Sequence, residues 1–405
     1  MDAARSFNRR SLLAGAGAAG LALTSARAFA QDAVAFDFPG GEGGRLLTGD
    51  FPDKGAMILQ RTRPPLLETP FEVFDKDITP NAQFYVRWHW SNIPTQINAD
   101  AFRLTVRGHV NRPVSLSLRD LLAMPSVDLV AVNQCSGNSR GFFEPRVAGA
   151  QWANGSMGNA RWTGVRLKDV LDRAGVKAGA LAVRFDGLDG PVTSDGPDFM
   201  KSLGVDHARD GEVMIAYAMN GAQLPLLNGF PLRLVVPGWY ATYWVKMLSD
   251  IEVLNAPDAG FWMAKAYLIP DTPHADMTPG QAGVKMTPIN RMVPRSFFTN
   301  VKPRDKAVAD AATALRGIAF GGDAGVAKVE VSTDGGLHWS PTQLGEDPGK
   351  YSFRRWQASV TLPRGEHLVL SRCTNTRGEA QPMQANWNPS GFMRNIVEGV
   401  SLTAA

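Results

Sequence analysis

Cysteine is almost missing from this chain: 405 residues hold only Cys135 and Cys373. There is no C-x-x-C-H motif for covalent haem attachment and no C-x-x-C pair of the kind that builds zinc sites. After the first thirty residues, no apolar run approaches the ~20 residues that a membrane span needs. An excess of charge is missing as well. The formal net charge is +4, but residues 1–30 contain Asp2, Arg5, Arg9, Arg10 and Arg27, and without them it falls to +1. Charge therefore gives no reason to expect a nucleic-acid partner or a membrane surface. Residues 31–405 show neither internal repeats nor low-complexity tracts.

At 44% apolar and 20% charged residues, the composition is that of a globular protein with about two domains. Its start is set apart from the rest. Arg9-Arg10 precede an Ala/Gly-rich apolar stretch from Leu12 to about Leu23, and Ala28-Phe29-Ala30 follows as a small-x-small cleavage site. This predicts an export signal over 1–30, and the paired arginines favour the twin-arginine route, which carries folded proteins. The expected location is the periplasm.

Residues 31–75 are rich in Gly and Pro and read as an extended leader over a domain surface. Mixed patterns follow. "FYVRWHW" and "FRLTVRGHV" alternate like strands, as do "LAVRFDGLDG", "EVMIAYAMNG" and "FPLRLVVPG". "SLSLRDLLAM" and "VRLKDVLDRAGV" have the spacing of short amphipathic helices. Long helices are absent, which predicts an α+β domain over 76–275. Beyond the Pro-rich passage near residue 280, "ALRGIAFGG", "VAKVEVSTDGGLHWSPTQL", "SFRRWQASVTLP" and "HLVLSRCTN" are short strands with an Asp334-Gly335-Gly336 hairpin signal. They predict an all-β, immunoglobulin-like sandwich over 280–405.

Cys135 lies in "VNQCSGNSRGFF", a polar, glycine-containing loop. In an oxidising compartment a bridge to Cys373 would be the bland reading, but that residue is 238 positions away in the other predicted domain. A free reactive thiol and a ligand to a metal cofactor are the readings left open by the residues alone.

Four blocks in order resemble the sulfite oxidase family of molybdenum enzymes. They are "VNQCSGNSRGFF", "AQWANGSMGNARWTGVRLKDVL", "AYAMNGAQLPLLNGFPLRLVVPGWYATYWVKML" and the terminal β-rich region, together spanning roughly residues 75–405. The resemblance implies that Cys135 binds molybdenum, which also carries a molybdopterin. It implies Arg87 and Arg140 as substrate cations, Trp152 as an indole lining the anion pocket, Tyr267 as a phenol near the reacting oxygen, and His89 as a residue that touches the cofactor or sits near Arg87 and Tyr267. Asp189, Asn228, Arg233 and Lys246 are implied as pterin contacts. Arg354 and Arg394 of the sandwich are further candidates to face the pocket. Asn228 departs from the vertebrate pattern, where histidine is usual. Tyr243-Trp244 also departs, because smaller or basic residues stand there.

The implied reaction is the two-electron oxidation of sulfite to sulfate. With no haem motif in this chain, a separate periplasmic c-type cytochrome would take the electrons. The family also implies a homodimer formed through the sandwich. Competing readings are a periplasmic molybdenum reductase of S-oxides such as methionine sulfoxide, a dehydrogenase of a carrier-bound sulfur substrate, and a non-catalytic exported binding module.

Overall fold

The computed structural model describes residues 33–405, so the export-signal reading of 1–30 lies outside the described residues. The segment read as an extended leader, described from residue 33, is built of strands. It forms four of them, Ala33–Phe38, Gly41–Thr48, Met57–Arg61 and Leu66–Glu68, in an antiparallel meander. The fifth strand of this sheet is Val86–Arg87, with Leu66 opposite Arg87. A small core of Met57, Leu67, Val86, Trp88, Leu227 and Met247 anchors the meander to the rest of the chain. The Gly/Pro content concealed these strands because they are short and their turns take up much of the segment.

Two further sheets carry the first domain. One has the order Lys201–Gly204, Ala182–Asp186, Asp250–Leu254, Arg103–Gly108, Val114–Ser117, with a single parallel pair at its centre. The other runs Ala222–Gln223, Met214–Met219, Met157–Arg166, Val127–Gln134, and Arg233–Val235 also pairs with Met214–Met219. The two predicted helices are present. Leu118–Leu122 opens with a Ser117–Asp120 capping box, and Leu167–Ala174 buries Leu167, Val170, Leu171 and Ala174. The α+β expectation holds, with strand far outweighing helix.

The second domain is two sheets of four and five strands around a shared core that includes Phe298, Leu315, Trp356, Val329, Val369, Cys373 and Leu402. Gly335 and Gly336, at φ +75° and +92°, make the turn expected at Asp334-Gly335-Gly336. The two domains are not loosely tethered. The core of the first domain continues through Phe297, Phe320, Tyr351 and Phe353 of the second, and the backbone N–H of Val132 donates to Tyr351 O at 2.8 Å. Among the described residues, no helix is long and apolar enough to cross a membrane.

Candidate active site

Cys135 is the first residue beyond the strand Val127–Gln134. The loop that follows is tightly tied. Cys135 N–H donates to Ser156 O at 2.9 Å, Asn138 N–H donates to Cys135 O at 3.0 Å, and Asn138 Oδ1 accepts from both the N–H and Oγ of Ser156. Both cysteines are free. Cys373 is fully buried in the sandwich core, and burial pushes its thiol well above the usual range. Cys135 instead opens onto a cleft of about 480 Å³.

Seven of the ten residues expected at the site line that cleft: Arg87, His89, Cys135, Asn228, Arg233, Lys246 and Tyr267. Pairing explains why residues so far apart in sequence meet. Arg87 ends the edge strand of the N-terminal sheet, and Arg233 and Lys246 are directly opposed across a β-bridge. Tyr267 sits at φ +56°, a left-handed conformation rare for a tyrosine. Its hydroxyl lies 2.6 Å from His89 Nε2. His89 in turn stacks on Phe199, with ring centroids 3.5 Å apart.

The cleft is strongly cationic. Buried Arg233 donates to Asn228 O and Asn133 Oδ1, and its guanidinium lies 5.3 Å from the Trp162 ring centroid. Lys246 donates to Arg87 O at 3.0 Å and lies 4.2 Å from the Trp88 centroid. These partners are neutral. Cation–π contacts give about 0.5–2 kcal/mol each, whereas removing a charge from water costs several kcal/mol after relaxation. Desolvation wins, and the consequences appear in the titrating groups. Burial first, and the Arg233 charge second, push the Lys246 ammonium down to about 7. Burial, then Arg87, Lys246 and Lys201, hold His89 well below its ordinary value, so it is neutral. Burial raises the Tyr267 phenol, against the opposing pull of Arg87.

Three expected site residues do not line the cleft. Arg140 is buried in the cysteine loop, and its guanidinium is spent on backbone, with Nε and Nη2 donating to Ser390 O and Nη1 to Ala150 O. Three of its five N–H donors are thus engaged by backbone carbonyls, and the guanidinium stands under the cysteine loop rather than on the cleft lining. Trp152 is 1% exposed and packs in the main core rather than against the cleft. Asp189 is buried behind the lining, where burial raises its carboxyl and the Lys246 charge opposes that rise. The sandwich arginines do not line the cleft either. Arg354 pairs with Asp347 and the carbonyls of Gly345 and Val326, and Arg394 with Glu398.

Sequence reasoning missed several groups. Tyr85, Ser136, Phe199, Thr242 and Trp244 also line the cleft. Lys54, from the N-terminal sheet, donates to Asn228 Oδ1 and to the carbonyls of Asn81 and Phe84, and burial holds its ammonium down to about 7. Lys201 is fully buried and donates to Trp262 O at 2.7 Å, with its ammonium 5.3 Å from the Tyr267 ring centroid.

Residues 90–262 match the oxidoreductase molybdopterin binding domain, and residues 287–404 match the Mo-co oxidoreductase dimerisation domain. Sulfite oxidase of Gallus gallus is 30% identical over 363 residues, covering 85% of this chain and 77% of that protein. The chain belongs to the sulfite oxidase family. Mitochondrial sulfite oxidase of Mus musculus is 32% identical over 364 residues, with 84% of this chain covered; the match spans 64% of the length of that relative. The crystal structure of the sulfane dehydrogenase SoxCD from Paracoccus pantotrophus shares the fold, with a TM-score of 0.70 at 23% identity, over 84% of this chain and 87% of that one.

The cofactor of this family member is molybdenum-molybdopterin, and the residues present suit it. Arg87 Nη1, Arg233 Nε and Asn133 Nδ2 are buried without a hydrogen-bond partner, donors set out for an anionic, acceptor-rich group. Among the described residues, no cluster of three or more His, Cys, Asp or Glu side chains could hold a metal. Among the residues lining the cleft, the soft thiolate of Cys135 is the donor that suits molybdenum.

Proposed function

We propose that this protein oxidises sulfite to sulfate, with Cys135 holding the molybdenum. Asn228, Arg233 and Lys246 would hold the pterin, and Asp189 would set the charge of Lys246 from behind. The observation that carries this reading is the surplus of positive charge beside a free thiol in one cleft. Arg87, Arg233 and Lys246 converge there with neutral partners, and Arg87 Nη1 has none. Such a site is electrostatically incomplete without an anion, and a planar guanidinium suits an oxyanion.

Bound at Cys135, the molybdenum group supplies oxygen-atom transfer and stores two electrons. The overall change, sulfite plus water to sulfate, two electrons and two protons, leaves the chain with a charge and a proton to manage. Arg87 holds the anion through its free Nη1. The neutral imidazole of His89 presents Nε2 as an acceptor to the Tyr267 hydroxyl, 2.6 Å away. The phenol is thereby fixed at the cleft, neutral like His89, with its oxygen free to accept from and position water. Arg140 acts indirectly in this reading, because its donors hold the cysteine loop against Ser390 and Ala150.

The Arg9-Arg10 signal supports export to the periplasm, where a c-type cytochrome would accept the electrons. The dimerisation-domain match supports a homodimer formed through an immunoglobulin-like sandwich. A monomeric mass by light scattering at micromolar concentration would overturn the dimer.

The test of the activity is sulfite-dependent reduction of ferricyanide by purified protein with its molybdenum quantified. Turnover supports the reading. No turnover at full molybdenum content overturns it, in favour of S-oxide reduction or a carrier-bound sulfur substrate.

A further inference from the structure

A short segment of the second domain reaches the residues that frame the cleft. Between the strands Gly365–Asn375 and Glu398–Ala404 the chain leaves the sandwich and crosses to the first domain. Trp387 Nε1 donates to Pro145 O at 2.8 Å, Asn388 Nδ2 to Ala275 O at 3.0 Å, and Ser390 Oγ to Leu268 O at 2.8 Å. Met393 N–H donates to Ser136 O at 3.1 Å. The segment is thus bonded to the residue after Cys135 and to the residue after Tyr267.

Phe392 is at its apex. Its ring lies parallel to that of Tyr267, with centroids 5.2 Å apart and planes 3° apart, and the Arg140 guanidinium carbon is 5.1 Å from its centroid. Asn388 shapes the apex by accepting from Phe392 N–H at 3.1 Å and donating to Phe392 O at 2.9 Å. Residue 391 must be glycine for this approach. It has φ +60°, and a Cβ there would stand 2.4 Å from Val147 Cγ2 and 2.9 Å from Arg140 Nε.

We infer that Phe392 is a positioning residue for the chemistry of the cleft. Its ring is the plate that holds the Tyr267 phenol against His89 and the Arg140 side chain under the cysteine loop. Tyr267 needs such a plate. A non-glycine residue at φ +56° persists only where its surroundings over-determine it. Among the described residues, the groups that hold it along this direction are His89 at the hydroxyl, where Thr242 also approaches, and Ile289 N–H on the carbonyl at 2.8 Å. The aromatic plate fixes the rotation of the ring between them. The inference rests on the proposed role of Tyr267 in sulfite oxidation.

The experiment compares Phe392→Leu, Phe392→Met and Phe392→Tyr with the parent, all as full-length, molybdenum-quantified protein. Leu and Met keep apolar bulk without the plate, and Tyr keeps the plate. At equal molybdenum content, Leu and Met should lower kcat by about 10- to 100-fold through misplacement of the phenol. KM should stay within about twofold, because Arg87 still holds the anion. Tyr should restore kcat. Hydrogen exchange over residues 266–290 and 388–396, read by mass spectrometry, should quicken in Leu and Met and not in Tyr. Wild-type kcat in Leu or Met, or a Tyr variant as slow as they are, would overturn the inference. If the parent itself does not oxidise sulfite, the functional reading fails and the exchange data alone decide: unchanged exchange in Leu and Met then overturns the positioning role.

Discussion

At the scale of the residue, each cleft side chain has a separable task. Cys135→Ser exchanges a soft donor for a hard, neutral hydroxyl. The variant should fold, because the loop is held by backbone and Asn138 bonds that do not involve the thiol. Molybdenum content and sulfite turnover should both be lost, and appreciable turnover would remove Cys135 as the ligand. Arg87→Gln removes the free charged donor. A charge-assisted hydrogen bond contributes about 1.5–3 kcal/mol, so KM should rise about 10- to 100-fold with a smaller change in kcat. An unchanged kcat/KM would take Arg87 out of the anion site. Tyr267→Phe keeps the stack on Phe392 and removes the proton shared with His89 Nε2. In steady-state kinetics it should lower kcat by roughly 10²-fold.

At the scale of the element, the cysteine loop is held from both sides by strands and turns that the sequence announces unequally. The strand Met157–Arg166 runs between Val127–Gln134 and Met214–Met219, and Gly164 stands opposite Ala216 of the latter. A Cβ at residue 164 would stand 2.1 Å from Ile215 O, a backbone atom that cannot swing aside. Gly164→Ala should therefore cost about 1–3 kcal/mol through overpacking and lower the thermal midpoint, read by calorimetry.

Elements with a periodic pattern were legible in the sequence, as were residues inside continuous motifs. The helix Leu118–Leu122 begins at a serine visible in the sequence, and Arg233 and Lys246 share one motif block. Lys54 was not legible, because its partner Asn228 is 174 positions away and a lysine in "PDKGA" otherwise reads as solvated. Phe392 was hidden for the same reason. Arg140 and Trp152 were conspicuous as residue types, but a motif does not reveal which backbone carbonyls a guanidinium meets or how deeply an indole is buried.

At the scale of the whole molecule, the buried cations shape the dependence of stability on pH. Lys54 and Lys201 titrate near 7 in the fold, chiefly through burial, against about 10.4 in an unfolded chain. Between these values the unfolded chain binds more protons than the folded one. Stability should therefore rise as pH increases from about 7 to about 10.4. Thermal midpoints across that range should climb, and Lys54→Met should flatten part of the climb. A midpoint that falls steadily over the same range would contradict the burial of these ammonium groups.

The site is also closed by both ends of the described chain. Glu68, in the N-terminal sheet, accepts from the N–H groups of Gly155 and Ala153, and Ala153 O accepts from Ser139 N–H in the cysteine loop. Asn388 to Met393 close the opposite side, and Ser390 O accepts from Arg140 in the cysteine loop across 250 positions of sequence. Contacts so distant along the chain carry the largest loop-closure cost and reward the fold only once both partners are in place. The pocket is therefore among the last parts of the molecule to gain its shape, and it can accept its cofactor tightly only when the rest of the fold is already standing.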